Sequence, residues 1–469
     1  MIERALEADY VVVGAGAVAM AFADTLLDES EATMILVDRR DRPGGHWNDA
    51  YPFVRLHSAS MYYGVNSREL GGRRIETAGF NRGHLELATG PEICAYFDQV
   101  MRHRFLPSGR VTYLPMSEYG DDGVATSRVT GARTRLKARR RVVDATHSDT
   151  RIPSIDPAGF PVSTGVTCIA PNDLPRTASG DGGFVVIGAG KTAMDVAIWL
   201  LEHGVDPEEI MWIRPRDGWV YNRRHLQPSL ELFADTVEGL TAEMESARDA
   251  ISIADLFHRL EAAKALLRID PNVEPTMFRC AMATEAEVEL LGRIRNVVRL
   301  GRVHRIDDDC ITLEHGSVPT SRGAIHINCT AQGIATRPSA PVFQDGRIVL
   351  QCVIHCWLTL SSAFIAYIEA TRSDDSEKNG LARPIPLASE PLDWARLRLL
   401  EARNDAAWAE HPDIAAWFEK ARLDSFSGML AEAARQGSPE KLALLERFNR
   451  ARTDGTARLS HLLAGSTPG

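Results

Sequence analysis

The sequence predicts an α/β protein of two Rossmann-like dinucleotide-binding domains, one inserted in the other, followed by a C-terminal helical segment. Three observations predict it: a strand–glycine turn–helix unit near the start, a second such unit 174 residues later, and a polar-faced helical pattern from Pro391 to Leu463. In the first unit, Val11, Val12 and Val13 make a short apolar run of buried-strand type. Gly14-Ala15-Gly16-Ala17-Val18-Ala19 then gives G-x-G-x-x-A, ahead of an apolar helical pattern through Leu27. Gly14 allows the tight turn, Gly16 lets the backbone approach a pyrophosphate, and Ala19 lets helix and strand pack closely. The helix offers its free N–H groups and positive dipole end to the phosphates. A second strand, Met34 to Val37, ends at Asp38, whose carboxylate can accept hydrogen bonds from ribose hydroxyls; Arg39 beside it joins the expected site.

The second unit begins with Phe184 to Ile187, followed by Gly188-Ala189-Gly190-Lys191-Thr192-Ala193 and a helical run from Met194 to Leu201. Its fragment GAGKT suggests a P-loop, but that motif needs a glycine where Val185 stands inside the strand, so it is rejected. Gly188, Gly190, Lys191, Thr192 and Ala193 are therefore assigned to a second dinucleotide. The next strand, Met211 to Ile213, ends at Arg214, with Arg216 two residues on. A carboxylate there would repel a 2′-phosphate, whereas guanidinium groups clamp one, so the pair selects NADPH over NADH.

At 469 residues, with 44% hydrophobic and 25% charged residues, the chain is long enough for two or three domains with full cores. A net charge of -10 argues against a nucleic-acid partner, and the basic run Arg133 to Arg141 reads as a solvated edge or turn. Residues 1 to 9 carry Glu3, Glu7 and Asp9, unlike a signal peptide, and no stretch reaches the ~18 apolar residues of a membrane span. Seven scattered cysteines form no disulfide framework, which points to a reducing cytoplasm; Cys352 and Cys356, spaced C-x-x-x-C, read as packed core cysteines. No metal site is expected.

Between the two units lies Gly44-Gly45-His46-Trp47, then Tyr51-Pro52 and Arg55-Leu56-His57. This G-G-x-W followed by Y-P resembles the flavin-containing monooxygenases and their Baeyer–Villiger relatives, where the loop runs along the flavin. Gly45, His46 and Trp47 would thus border FAD, the glycine pair pressed against a ring and the tryptophan as a flat wall. Ala145-Thr146-His147 resembles the family's first "A-T-G", with His147 at the glycine. Thr330-Ala331-Gln332-Gly333 resembles the second, where the backbone returns to the flavin domain, so Thr146, Ala331 and Gln332 join the cofactor set. Arg214, Trp219 and Arg223 extend the resemblance as R-x-x-x-x-W-x-x-x-R. The family's F-x-G-x-x-x-H signature is missing: with its glycine on Gly165, Ser163 and Ile169 take the other two places.

The resemblance implies FAD at the first site, NADPH at the second, and transfer of one oxygen atom from O2 to a small soft nucleophile such as an amine or sulfide. The alternative is a reductase or dehydrogenase with an organic acceptor; a third reading is a dinucleotide-binding regulator without turnover. Alignment on Tyr51-Pro52 puts His57 where the monooxygenases carry an asparagine and the Baeyer–Villiger enzymes an aspartate. An imidazole of ordinary pKa about 6.5 there would exchange a proton near neutral pH, making His57 the expected catalytic residue. The Baeyer–Villiger arginine would fall near Ile294, flanked by Arg293 and Arg295, which disfavours ketone-to-ester chemistry.

The expected division is a first FAD-domain part at 1–180, an NADPH domain with a helical insertion at 181–322, an FAD-domain return at 323–385 and a helical cap or homodimer contact at 386–469. Within it, Pro91 to Phe105 reads as an amphipathic helix, and Val111 to Leu114, Val124 to Val129 and Arg140 to Asp144 as strands. Pro153 to Gly183 reads as a linker, His225 to Leu300 as mostly helical and Ile348 to Val353 as a strand. Ser361 to Ala370 reads as a helix and Ser373 to Asn379 as a charged loop.

Overall fold

A computed structural model describes residues 4–177, 182–335 and 337–464, so the part of the expected linker at 178–181 lies outside the described residues. The first parallel sheet is centred on Arg4–Val13, flanked by Met34–Val37 and Arg133–Asp144. Val111–Leu114 extends it on one side and Arg347–Val349 on the other. The apolar run at Val11 and Val12 is wholly buried because layers cover both faces, the usual state of a parallel strand. The helix Ala17–Glu29 is buried from Ala19 through Leu27, since Leu358–Thr371 packs along it. A helix apolar on all sides needs such a second cover.

The second sheet runs Val297–Val298, Ile210–Ile213, Phe184–Ile187, Ile325–Asn328 and Thr167–Ile169, all parallel. Lys191–Glu202 is its glycine-turned helix. Two expected boundaries move. Thr167–Ile169 and Ile325–Asn328 both pair within the second sheet, so the chain enters it before residue 181 and leaves it after residue 323.

Other expectations shift for local reasons. The basic run at 133–141 is the outer part of the strand Arg133–Asp144 rather than a turn. It pairs with Arg4–Ala8 beyond the core, and its cations meet Glu7, Asp9 and Asp122. The segment 225–300 is not simply helical: Leu266–Leu267 and Met277–Ala283 flank Gly218–Asn222 in a small sheet, with helices Phe233–Asp249, Ile253–Ala262 and Glu285–Leu291 around it. The charged loop at 373–379 is largely the helix Asp375–Leu381, capped by Asp374, which accepts from the Glu377 N–H. The expected helix at 91–105 is Gly90–Val100, closed at its start by a Thr89–Glu92 capping box and followed by a π turn at Met101–Phe105.

Four helices, Pro391–Ala409, Pro412–Lys420, Ser425–Gln436 and Pro439–Ala464, complete the chain. Trp394 packs with Trp219 and Phe257, while Trp408 and Trp417 pack on Phe364 of Leu358–Thr371. These helices therefore cap both halves from within the chain. No helix among the described residues is long and apolar enough to cross a membrane.

The last helix lies along Phe233–Asp249, and at Gly455 a Cβ would stand 2.5 Å from the Met244 carbonyl oxygen. Gly455→Leu should lower stability by about 1–3 kcal/mol through overpacking. Gly428→Ala, whose Cβ meets open space in the helix Ser425–Gln436, should instead raise it by up to about 1 kcal/mol. Urea denaturation of both variants reads the two signs.

Candidate functional site

Both glycine turns open into one continuous cavity of about 2410 Å³. Single-ligand pockets run to about 300–1,000 Å³, so this volume exceeds that of a single-ligand pocket. From the first half, Gly14, Gly16, Asp38, Arg39, Gly45, His46, Trp47, His57 and Thr146 line it. From the second come Gly188, Gly190, Lys191, Thr192, Arg214, Arg216, Ala331 and Gln332. Ala19 and Ala193 do not; they are wholly buried in their helices, where their small side chains serve packing rather than ligand contact.

The first turn is set by backbone sterics. Gly14 holds φ 107° and donates its N–H to the Val37 carbonyl at 2.8 Å. Gly44 donates to the Ala15 carbonyl at 2.9 Å, and a Cβ on Gly45 would lie 2.9 Å from the Gly16 Cα. The glycine pair expected to press against a ring is thus pressed against the fingerprint backbone itself. Asp38 accepts N–H bonds from Ala15 at 2.6 Å and Arg40 at 2.7 Å. Each carboxylate oxygen has a second lone pair for a ribose hydroxyl at the cavity wall.

The second turn repeats the first. Gly188 has φ 138°, and a Cβ on it would strike the Cys329 carbonyl oxygen at 2.7 Å, whereas a Cβ on Gly190 would meet open space. Both fingerprint helices start on glycine, Gly16 and Gly190, with no side-chain cap. Their first N–H groups remain free for an anion, and the absent Cβ leaves room for one. The following strands repeat as well. Thr146 bonds Asp144 Oδ1 through its N–H at 2.9 Å and its hydroxyl at 2.7 Å. Thr330 does the same with Asn328 Oδ1, at 3.1 and 2.6 Å. Thr330, rather than Ala331 or Gln332, is therefore the counterpart of Thr146. The signal in the sequence was the strand-end pattern D-A-T against N-C-T.

Between the halves, the Tyr51 hydroxyl donates to Asp195 at 2.7 Å, and Asp195 pairs with Lys191. Arg223, wholly buried, donates to the His57 carbonyl at 2.9 Å and to Asn81 at 3.2 Å, and pairs with Glu287 at 2.9 Å. Burial, with Lys191 and Arg223 nearby, pushes the His57 pKa down to about 3. Burial and two cationic neighbours disfavour a charged ring, against the proton exchange near neutral pH expected of an ordinary imidazole there. The ring's Nδ1 is buried without a hydrogen-bond partner among the described residues.

The two arginines expected to clamp a phosphate stand in different surroundings. Arg214 is buried, paired with Asp217 and stacked over the Trp212 ring at 4.7 Å. Asp217 in turn holds Arg299 at 2.8 Å. Arg214 is thus neutralised in place. Arg216, exposed at the strand end, lines the cavity with Arg279 and Arg302, and none of the three has an ion-pair partner among the described residues. Burial and the charges of Arg216 and Arg302 lower the Arg279 pKa. Sequence reasoning missed Arg279 and Arg302 because a strand bulge and a distant loop bring them in: between Trp219↔Phe278 and Tyr221↔Met282 the register slips.

Fold and site define an α/β protein with paired Rossmann-like dinucleotide folds facing one cavity. The chain is 47% identical over 427 residues to the uncharacterized protein Rv2000 of Mycobacterium tuberculosis (strain ATCC 25618 / H37Rv), covering 91% of this chain and 79% of that one. Uncharacterized protein Mb2023 of Mycobacterium bovis (strain ATCC BAA-935 / AF2122/97) matches to the same extent, and the chain belongs to the family of these mycobacterial proteins. No protein-family model matches it. Among solved structures, it has a distant likeness to ε-caprolactone-bound cyclohexanone monooxygenase, with 15% identity, 92% of this chain and 98% of that one covered, and a TM-score of 0.48. A polycyclic ketone monooxygenase from Thermothelomyces thermophila gives 14%, 97%, 90% and 0.48, and a flavin-containing monooxygenase from Stenotrophomonas maltophilia 14%, 78%, 97% and 0.42.

Two outcomes follow from this geometry. Gly45→Ala, at φ 60° and with its Cβ 2.9 Å from the Gly16 Cα, should lower the melting temperature, read by differential scanning calorimetry. For His57, the folded-state pKa of about 3 lies below the unfolded value of about 6.5, so the unfolded chain binds the proton first as pH falls. Its stabilising contribution is complete above about pH 6.5 and is lost as pH falls towards 3. His57→Gln should flatten the stability–pH slope in that window by up to about 1.4 kcal/mol per pH unit, read from urea melts.

Proposed function

We propose that the protein is an FAD-dependent, NADPH-consuming monooxygenase that transfers one oxygen atom from O2 to a small-molecule substrate, by N- or S-oxygenation. The observation that carries this reading is the pair of uncapped, glycine-turned helix starts opening on one cavity, one beside an acid and the other beside an arginine cluster. Asp38 suits the ribose of FAD, and Trp47 and Gly45 border the same side. When bound, the flavin supplies hydride acceptance and reaction with oxygen. The chain's own residues bind and orient. The free helix N–H groups take the pyrophosphates, and Arg216, Arg279 and Arg302 take the 2′-phosphate of NADPH. His57, neutral, offers a hydrogen bond rather than a titrating proton. Ile294 sits in the core and Arg293 and Arg295 are exposed away from the cavity, which supports N- or S-oxygenation over ketone insertion.

One observation favours a second reading, a reductase with an organic acceptor: a disulfide between Cys280 and Cys356 lies on the cavity wall. Domains as expected, with the two boundary shifts above, cytoplasmic placement and a homodimer belong to the same proposal.

The test is a visible spectrum of the purified protein followed by anaerobic reduction with NADPH and with NADH. NADPH should bleach the flavin band faster. The double variant Arg279→Ala/Arg302→Ala should lose that preference, since each hydrogen bond to a charged group contributes about 1.5–3 kcal/mol. Equal rates in the native protein sink the cofactor assignment. Hydrogen peroxide and oxygenated product, assayed on amine and sulfide substrates, separate monooxygenase from reductase.

A further inference from the structure

The bulge that brings Arg279 to the cavity also turns Cys280 into it. Cys280 and Cys356 are joined by a disulfide with Cα atoms 6.6 Å apart, 76 residues apart in sequence. Cys280 belongs to the strand Met277–Ala283 of the inserted half, and Cys356 to the loop before Leu358–Thr371, the helix packed on the first fingerprint helix. The bond therefore ties the two halves together across the cavity. Both cysteines hold positive φ, 55° and 56°, a backbone state that non-glycine residues rarely adopt and that concentrates at functional sites. Cys280 is buried and Cys356 exposed, so one sulfur is reachable and the other shielded. His355 Nε2 stands 3.4 Å from Cys280 Sγ, and its Nδ1 side faces Glu401 at 3.9 Å.

We propose that Cys280 and Cys356 form a thiol–disulfide exchange site that low-molecular-weight thiols reach through the cavity, with His355 passing the proton to and from Cys280. In the reducing direction, the thiolate of a thiol RSH attacks the exposed Cys356 Sγ. The Cys280–Cys356 bond breaks, its electron pair goes to Cys280 Sγ, and that sulfur takes a proton by way of His355 Nε2. A second RSH attacks the mixed disulfide, releasing RSSR and a Cys356 thiolate that solvent protonates. Two thiols are oxidised to one disulfide, and one protein disulfide is reduced to two thiols. The reverse sequence, with an incoming RSSR, closes the bridge. Burial lowers the His355 pKa to about 4, so the neutral ring does not hold the proton but relays it between Cys280 Sγ at Nε2 and the Glu401 side at Nδ1. The site needs no bound cofactor and stands apart from the oxygenation reading.

The experiment equilibrates the native full-length protein, without denaturant, in reduced and oxidised glutathione buffers, then alkylates it and maps the cysteines by mass spectrometry. The expected result is a reversible two-electron transition confined to Cys280 and Cys356: linked in oxidised buffer, both alkylated in reduced buffer. Limited proteolysis should be faster on the reduced side, where the halves are untied. His355→Asn should slow exchange roughly ten- to a hundredfold, the loss of one hydrogen bond to a charged sulfur, with circular dichroism unchanged. The proposal is overturned if the pair never links in oxidised glutathione, or if an existing link opens only in denaturant. It is also overturned if the reduced protein retains one equivalent of zinc that Cys280→Ser releases, which would make these residues a metal site.

Discussion

Gly16 and Gly45 touch backbone to backbone, with no room for a Cβ on Gly45 and little for one on Gly16, and the first half of the site depends on that contact. It lets the loop after Asp38 fold back over the fingerprint turn, with the Gly44 N–H on the Ala15 carbonyl. From that fold-back, Trp47 reaches the cavity, its indole N–H held by the Tyr63 hydroxyl at 2.7 Å, and Tyr51 reaches the second half. Local sterics thus set the position of residues that join two sheets. A larger side chain at either glycine would displace the whole border of the cavity, not a single contact.

What joins the halves is a short list of buried polar groups. Arg223, from the strand end at Asn222, reaches His57, Asn81 and Glu287, and so ties the Tyr51–His57 segment to the inserted half. A buried guanidinium is tolerable only with such complete partnering. Burial, then Lys191, then this same arginine hold the His57 pKa down.

The sequence made both glycine fingerprints legible because close helix–strand packing and pyrophosphate approach leave few residue choices at fixed spacing. The cavity accordingly includes every assigned residue except the two packing alanines, Ala19 and Ala193. What was not legible depended on tertiary partners. Arg214 looked like a clamp until Asp217, three residues on, neutralised it. Arg279 and Cys280 come from a bulge inside a segment whose apolar spacing suggested helices, and a register slip leaves no periodic trace. The basic run at 133–141 gave no hint of a strand because its charges meet acids on a neighbouring strand.

The repeated strand ends have an electrostatic consequence. Where the first half places Asp38 and Asp144, the second places Asn328 and, at its strand end, Arg216 without an ion-pair partner among the described residues, so the duplicated turns share their shape but not the charge of their surroundings. An acid beside one turn and unpaired guanidinium groups beside the other make the two ends of the cavity electrostatically unlike. A ligand carrying an extra phosphate is drawn to one end, and a ligand without it is less disfavoured at the other. Turns of one shape can thereby differ in the ligand charge that each favours.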